Sequence, residues 1–268
     1  KMLSQQEQDR YNRQLILPEI GISGQEKLKQ AKIVVIGAGG LGCPALQYLA
    51  AAGVGTIGIA DFDVVSESNL HRQILFTSED VGKPKAEIAA KKLKQQNPFI
   101  NCIPHTSGIN TENALNLIEN YDLVIDGSDN FPTRYLVNDA CAILQKPLVF
   151  GSIFKFEGQV TVFHYRNGPS YRCLFPEPPS RDEIPTCSEV GVLGVLPGII
   201  GTMQATEAIK IICGIGEVLS GKLFIFNALQ MNTISFEFEK TAQANITALQ
   251  ENYEVVCNSN QEVTVQEI

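Results

Sequence analysis

An α/β fold, with a doubly wound parallel sheet in the first half and antiparallel strands extending it in the C-terminal half, is what this sequence predicts. Three observations predict it. The apolar run Lys32–Ile36 ends directly in Gly37-Ala38-Gly39-Gly40-Leu41-Gly42, as a strand covered on both faces does where it turns into a helix. Strand patterns then alternate with helical ones as far as residue 150, the rhythm of a parallel sheet wrapped on both sides. After Gly151 that rhythm stops, and residues 233–239 alternate apolar and polar as a half-exposed antiparallel strand does.

Taken in order, Ser4 and Glu7 form a capping-box pattern and predict a short N-terminal helix that carries Arg10, Tyr11, Asn12 and Arg13 ahead of Pro18. Residues 1–30 are its arm. The strand Lys32–Ile36 feeds a helix over 41–52, and residues 55–61 supply a second buried strand that finishes on Asp61. A helix over 83–96 closes at Asn97-Pro98. The polar loop between them, about twenty residues, is long for a compact domain, and such loops usually carry function. A strand at Asn101–His105, a helix over 111–120, a strand at Leu123–Asp126, a helix over 132–144 and a strand over 148–150 complete the parallel part. Strands are then predicted over 158–165, Lys222–Asn227 and 233–239, with an apolar helix over 196–213. Pro176, Pro178, Pro179 and Pro185 mark 175–189 as an irregular, mobile loop. Residues 31–240 thus form one domain, parallel to about residue 151 and mixed after it, and 241–268 read as a polar tail or linker.

Composition excludes several classes. With 268 residues, 44% hydrophobic, 19% charged and a mean hydropathy of +0.01, the chain is neither disordered nor collagen-like nor a coiled coil. A net charge of −8 excludes wholesale attraction to nucleic acid, so any polyanion must be gripped locally. No run approaches the ~18 apolar residues of a membrane span, and the N-terminus is polar, which predicts a cytoplasmic protein. Seven scattered cysteines without a C-x-x-C pair predict reduced thiols rather than a disulfide framework.

Gly37, Gly39 and Gly42 fit G-x-G-x-x-G between a strand and a helix, and Asp61 follows Gly42 by nineteen residues at the end of the next strand. That combination predicts a Rossmann-like nucleotide site, in which glycines admit phosphates to a helix N-terminus and the aspartate accepts from ribose hydroxyls. The motif does not say which nucleotide. An NAD-dependent oxidoreductase is one reading and a noncatalytic nucleotide-binding protein another. Nucleotidyl transfer is favoured by Arg72 and Lys85, because it must neutralise a triphosphate and stabilise charge developing at the α-phosphorus. Lys85 in a helix's first turn opposes the helix dipole unless an anion is bound beside it. Asp126 and Asp129 end the fourth strand. Asp129 is the candidate magnesium ligand, while Asp126 is divided between that role and capping the Asp-Gly turn.

Arg10-Tyr11-Asn12-Arg13-Gln14, the glycine motif, Asp61-Phe62-Asp63, Ser68-Asn69-Leu70-His71-Arg72-Gln73, Gly82-Lys83-Pro84-Lys85 and Asp129-Asn130 together resemble the ThiF/MoeB/HesA family. These are relatives of ubiquitin-activating enzymes, and the likeness is to the molybdopterin-synthase adenylyltransferase branch, with its rhodanese-fused forms. The resemblance spans about residues 10–239. It implies a homodimer that uses ATP and Mg2+ to adenylate the C-terminal glycine carboxylate of a ubiquitin-like sulfur-carrier protein ending in Gly-Gly, with release of pyrophosphate. A thiamine-pathway carrier is the alternative substrate. It further implies that Gly40 lies against the nucleotide and Asp61 holds the ribose. Asn69, Arg72 and Lys85 would contact phosphates, with Asp63, Ser68 and Asn130 nearby, Asp129 would bind magnesium, and Arg13 would reach the partner's ATP. A carboxylate nucleophile is already ionised at pH 7, so no general base is required, in keeping with only three histidines.

The chain also departs from the resemblance. Many relatives hold zinc with two C-x-x-C pairs, the first in Cys-Tyr-Arg-Cys; here that stretch is Ser170-Tyr171-Arg172-Cys173, and the tail offers only Cys257. Two thiolates do not close a tetrahedral site, so zinc is expected to be absent and Cys173 to be an ordinary semi-buried thiol. Cys187 lies where some relatives carry a loop cysteine that links covalently to the carrier, or else is a small apolar filler. The alternation over 262–268 resembles the approach to a rhodanese-like domain.

Overall fold

The structure is a computed structural model that describes residues 2–179 and 191–253. Eight strands form one sheet in the order β3-β2-β1-β4-β5-β6-β7-β8. The strands are β1 (Lys32–Ile36), β2 (Thr56–Ala60), β3 (Asn101–His105), β4 (Leu123–Asp126), β5 (Leu148–Phe154), β6 (Glu157–Phe163), β7 (Lys222–Asn227) and β8 (Asn232–Glu237). The pairings β1·β2, β1·β4, β2·β3 and β4·β5 are parallel, and β5·β6, β6·β7 and β7·β8 are antiparallel. The chain reverses from β1 toward β2 on one side and β4 on the other, and the crevice above the strand ends at that switch is where open α/β sheets bind ligands.

Among the described residues eight α-helices surround the sheet: α1 (Gln5–Leu15), α2 (Gly21–Gln30), α3 (Gly42–Ala52), α4 (Lys85–Gln96), α5 (Ala114–Glu119), α6 (Phe131–Leu144), α7 (Tyr171–Leu174) and α8 (Val195–Cys213). One core lies between the sheet and the α2, α3, α4 and α8 side, where Ile33, Val35, Leu46, Leu49 and Ile57 are sealed from solvent. The other lies under α5 and α6, around Val34, Ile118, Tyr135 and Phe150. β1 contributes to both because both of its faces are covered, which is why it reads as an unbroken apolar run.

Local chemistry fixes the ends. Ser4 and Glu7 make the reciprocal capping box, and Glu7 also takes Lys29 at 2.7 Å, which ties α1 to α2. α1 docks by Tyr11, whose hydroxyl accepts from Asn97 Nδ2 at 2.8 Å, and by Gln14, which donates to Ala52 O at 3.1 Å. Those partners are at the C-terminal ends of α4 and α3, the ends remote from the glycine loop.

Several elements differ from the sequence reading. β5 runs on to Phe154 because, past its parallel partner, it finds β6 on the other side. α5 is shorter than 111–120 because Asn110 and Asn113 side chains cap a turn ahead of it. β8 is exposed at all six residues rather than on one face, since it is an edge strand with neither face covered by the described residues. The long loop after β2 holds two 3-10 turns, Glu67–Asn69 and Ser78–Asp80. Residues 241–253, polar in composition, lie packed on the domain through Leu249 and Tyr253. Cys187, Cys257, the segment 262–268 and most of the proline-rich loop lie outside the described residues. Among the described residues no helix is long and apolar enough to cross a membrane.

Candidate active site

The site forms at the C-terminal ends of β1, β2 and β4. Gly37 leaves β1 with φ +90°, and a Cβ there would sit 2.8 Å from the Gly127 carbonyl oxygen, so the glycine loop and the turn after β4 touch backbone to backbone. A Cβ at Gly42 would run into the Gly37 carbonyl oxygen. At these two positions the loop admits only glycine. α3 starts from it with no side-chain cap, which leaves its N-terminal N–H groups and dipole directed at whatever occupies the cradle.

Asp61 holds this loop in shape. Its Oδ2 accepts from Ala38 N at 2.7 Å and its Oδ1 from Asp63 N at 2.8 Å, leaving a further lone pair on each oxygen. Burial raises its pKa, against the opposing pull of those two N–H groups and of Lys85. Lys85 is the first residue of α4 and is itself buried. Its Nζ lies 3.0 Å from Asp63 Oδ2, a carboxylate with a half-exposed side chain. The field of Lys85 also reaches the Cys43 thiol in the first turn of α3, which burial pushes up to about 12. The lysine thus faces the cradle from the side of β2.

Arg72 closes the cradle from the long loop. Its Nη1 donates to Ser68 O at 3.2 Å and meets His71 Nε2 at 2.8 Å, and its Cδ would lie 3.5 Å from a Cβ at Gly40. Pro197, in the first turn of α8, presses on the same glycine. Asn69 shapes the turn by accepting the N–H groups of Arg72 and Gln73 on its carbonyl, while Ser68 Oγ is 3.1 Å from Ser66 Oγ.

On the β4 side, Asp126 caps its own turn: Oδ1 accepts from Ser128 N at 2.9 Å and Ser128 Oγ at 2.6 Å. The capping bonds use only Oδ1, and Oδ2 is buried with no hydrogen-bond partner. Burial raises its pKa, opposed chiefly by the Arg134 guanidinium. Asp129 is exposed, and Asn130 is the N-cap of α6, accepting from Thr133 N at 2.9 Å. The structure thus brings together Gly37, Gly39, Gly40, Gly42, Asp61, Asp63, Arg72, Lys85 and the Asp129 turn. It does not bring Arg13, which is exposed on α1 at the far end of α3, roughly 16 Å away by the rise of eleven helical residues.

This cradle fits a polyphosphate: glycine backbone, an uncapped helix start and two cations converge on it. A divalent cation fits only in company, because among the described residues no three His, Cys, Asp or Glu groups converge. Asp129 would give one oxygen, with phosphate and water completing the shell.

Three residues escaped the sequence reading. Gln73 is buried beside Gly39 with its Oε1 unbonded, and Gln204 of α8 is fully buried, its Nε2 donating to Asp126 O at 2.7 Å and its Oε1 also unbonded. Arg134 lies over the Phe131 and Phe150 rings, 5.3 and 5.6 Å from their centroids, with a buried unbonded Nε. Gln73 lies inside the motif Ser68-Asn69-Leu70-His71-Arg72-Gln73. The other two gave only the weak signal of a polar residue on a buried helix face.

A profile of the ThiF family matches residues 11–248. The sulfur carrier protein adenylyltransferase of Thermus thermophilus is 54% identical over 232 residues, covering 85% of this chain and 86% of that protein. The adenylyltransferase and sulfurtransferase MOCS3 of Xenopus laevis is 46% identical over 258 residues, covering 94% of this chain and 57% of that protein, so this chain spans little more than half the length of that relative. Among solved structures, E. coli MccB with ATP has a TM-score of 0.78 at 23% identity, over 89% of this chain and 74% of that chain. That likeness is one of fold. The family profile covers the glycine cradle, both cations and the whole sheet, and the chain belongs to the ThiF family.

Proposed function

We propose that the chain is an adenylyltransferase that joins AMP to the C-terminal glycine carboxylate of a ubiquitin-like sulfur-carrier protein, releasing pyrophosphate, in the making of molybdopterin or a related sulfur-containing cofactor. The observation that carries this reading is the pairing of a buried Lys85 and Arg72 around an uncapped glycine cradle. Hydride transfer asks for no such charge beyond a dinucleotide's own phosphates. The names of the Thermus and Xenopus relatives support the same reaction.

In this reading Asp61 takes the ribose hydroxyls with the lone pairs its loop bonds leave over. Lys85 exchanges Asp63 for phosphate oxygens, and Arg72 offsets charge on the departing pyrophosphate. Asp129 and Asn130 border the phosphates, and a magnesium ion held by Asp129 supplies further charge neutralisation when bound. The carboxylate nucleophile attacks the α-phosphorus without a base, so the residues act by position and charge. Arg13 serves the partner's site in a homodimer, which accounts for its distance from its own cradle. Cys187 is a candidate for holding the activated carrier as a thioester. The reaction takes place in the cytoplasm.

The carrier is expected on the hairpin tips beside the site. Phe154 and Phe156 of the β5–β6 hairpin and Leu229 and Met231 of the β7–β8 hairpin are 49%, 39%, 68% and 75% exposed. The register puts both tips at the end of the sheet where β4 delivers Asp129. Exposed apolar side chains on two neighbouring hairpin tips suit a protein contact. The test is intact mass of a Gly-Gly carrier after incubation with enzyme, magnesium and ATP. A gain of one adenylyl group is expected, and an unmodified carrier, alongside undiminished ATP binding, overturns the assignment.

A further inference from the structure

The place where the resemblance implies zinc holds donors that do not fit it. Ser170 Oγ is engaged as the N-cap of α7, accepting from Arg172 N at 3.0 Å. Cys173 Sγ accepts from Ser170 N and Thr241 N, each at 3.4 Å. Burial raises the Cys173 pKa, but these N–H groups outweigh it and the net shift is downward. Among the described residues that is one thiol and one occupied hydroxyl, and the two thiolates of the whole sequence, Cys257 included, still fall short of a tetrahedral set.

A different group joins the same segments. Asp139 of α6 is 1% exposed, and every acceptor position of its carboxylate is filled. Oδ1 accepts from Arg172 Nε at 2.8 Å and Asn138 Nδ2 at 3.0 Å, while Oδ2 accepts from Arg172 Nη2 at 2.7 Å and the Tyr253 hydroxyl at 2.9 Å. The guanidinium lies over the Tyr135 ring, 4.8 Å from its centroid, and Nη1 goes on to Pro176 O at 3.3 Å. Asn138 Oδ1 binds Tyr171 N and His164 Nε2, both at 2.9 Å. We infer that Asp139, Arg172 and Tyr253 form a metal-free staple that holds α7 and the 241–253 segment on α6. A buried carboxylate is tolerable only with its partners complete, so loss of one loosens the rest together. The staple also reaches Pro176, where the chain leaves α7.

The full chain, expressed with added zinc, tests this by metal analysis, melting with and without EDTA, and hydrogen exchange over residues 242–252. Expected are zinc well below stoichiometric, melting unchanged by EDTA, and exchange in Tyr253→Phe faster by about tenfold at those amides, with the amides of β1 unaltered. Tyr253→Phe keeps the buried ring, so the fold survives. Cys173→Ser should leave the same amides within about twofold of wild type, since the thiol makes only long bonds, accepting two at 3.4 Å and donating one to Ser170 Oγ at 3.9 Å. Stoichiometric zinc with EDTA-lowered melting, tail exchange unchanged in Tyr253→Phe, or tail protection lost in Cys173→Ser would each overturn the staple.

Discussion

Replacing Lys85 by Met separates the site's chemistry from its stability. The Lys85 side chain is buried, 5% exposed, but that of its partner Asp63 is 54% exposed. Removing the charge leaves a carboxylate that water can solvate, and methionine fills the space of the lysine stem. A half-solvated pair contributes at most about 1 kcal/mol. For a chain of this size that is a fall in Tm of about 2–4 °C. The effect on adenylation is much larger, because a fixed cation facing charge that develops in the transition state is worth about 2.7–4 kcal/mol, or about 10²–10³ in kcat. Pyrophosphate release by the variant, measured with saturating ATP and carrier beside a thermal melt, should show both effects. Turnover within about threefold of wild type, with melting unchanged, would remove Lys85 from the mechanism.

Four further outcomes follow from the same geometry. Gly42→Ala places a methyl group against the Gly37 carbonyl, so ATP should no longer raise its Tm even if the variant folds; an undiminished shift would show that the loop does not cradle phosphate. Magnesium-ATP at about 100 times its Kd should stabilise the wild type by about 2.7 kcal/mol, whereas NAD should do nothing, and the reverse pattern would restore the oxidoreductase reading. Arg13→Ala and Arg72→Ala homodimers should each be inactive, yet recover about a quarter of wild-type activity when mixed and re-equilibrated, since only one site of each mixed dimer is whole; no recovery would deny Arg13 its role in trans. Burial lowers the His164 pKa to about 4 from its ordinary 6.5, with Lys240 adding to the shift and Asn138 and Asp139 opposing it. The neutral folded form is favoured above the unfolded value, so stability falls as pH drops from about 6.5 toward 4, by about 2 kcal/mol between pH 7 and pH 5. Urea melts at the two pH values should show this slope, and a slope unchanged in His164→Gln would assign it elsewhere.

The parallel half of the fold was legible because its signals are local. Val34 and Val35 are covered on both faces and so read as an unbroken run, and Gly37, Gly42 and Asp61 act within one strand-turn-helix-strand unit. Lys85 could be singled out because a cation at a helix start is locally unfavourable. What escaped is held by partners far away in the chain. Gln204 reaches the carbonyls of Asp126 and Val149, 78 and 55 residues earlier, and Tyr253 reaches Asp139 across 114 residues. The segment 241–253 read as tail because its polar composition conceals two anchors, Leu249 and Tyr253, whose burial depends on α6 and α7 being in place. β8 read as half-exposed because Ile234 and Phe236 alternate with polar neighbours, a pattern that predicts a covered face whether this chain or another molecule covers it.

In the proposed reaction the cations around the glycine cradle activate a protein's C-terminal carboxylate. Exchange of labelled pyrophosphate into ATP, with a carrier ending in Gly-Gly present or absent, measures that step in isolation. Exchange is expected to require the carrier and to disappear when its terminal carboxylate is amidated. Exchange at the same rate without a carrier, or none with any carrier although ATP binds, would contradict the proposed reaction.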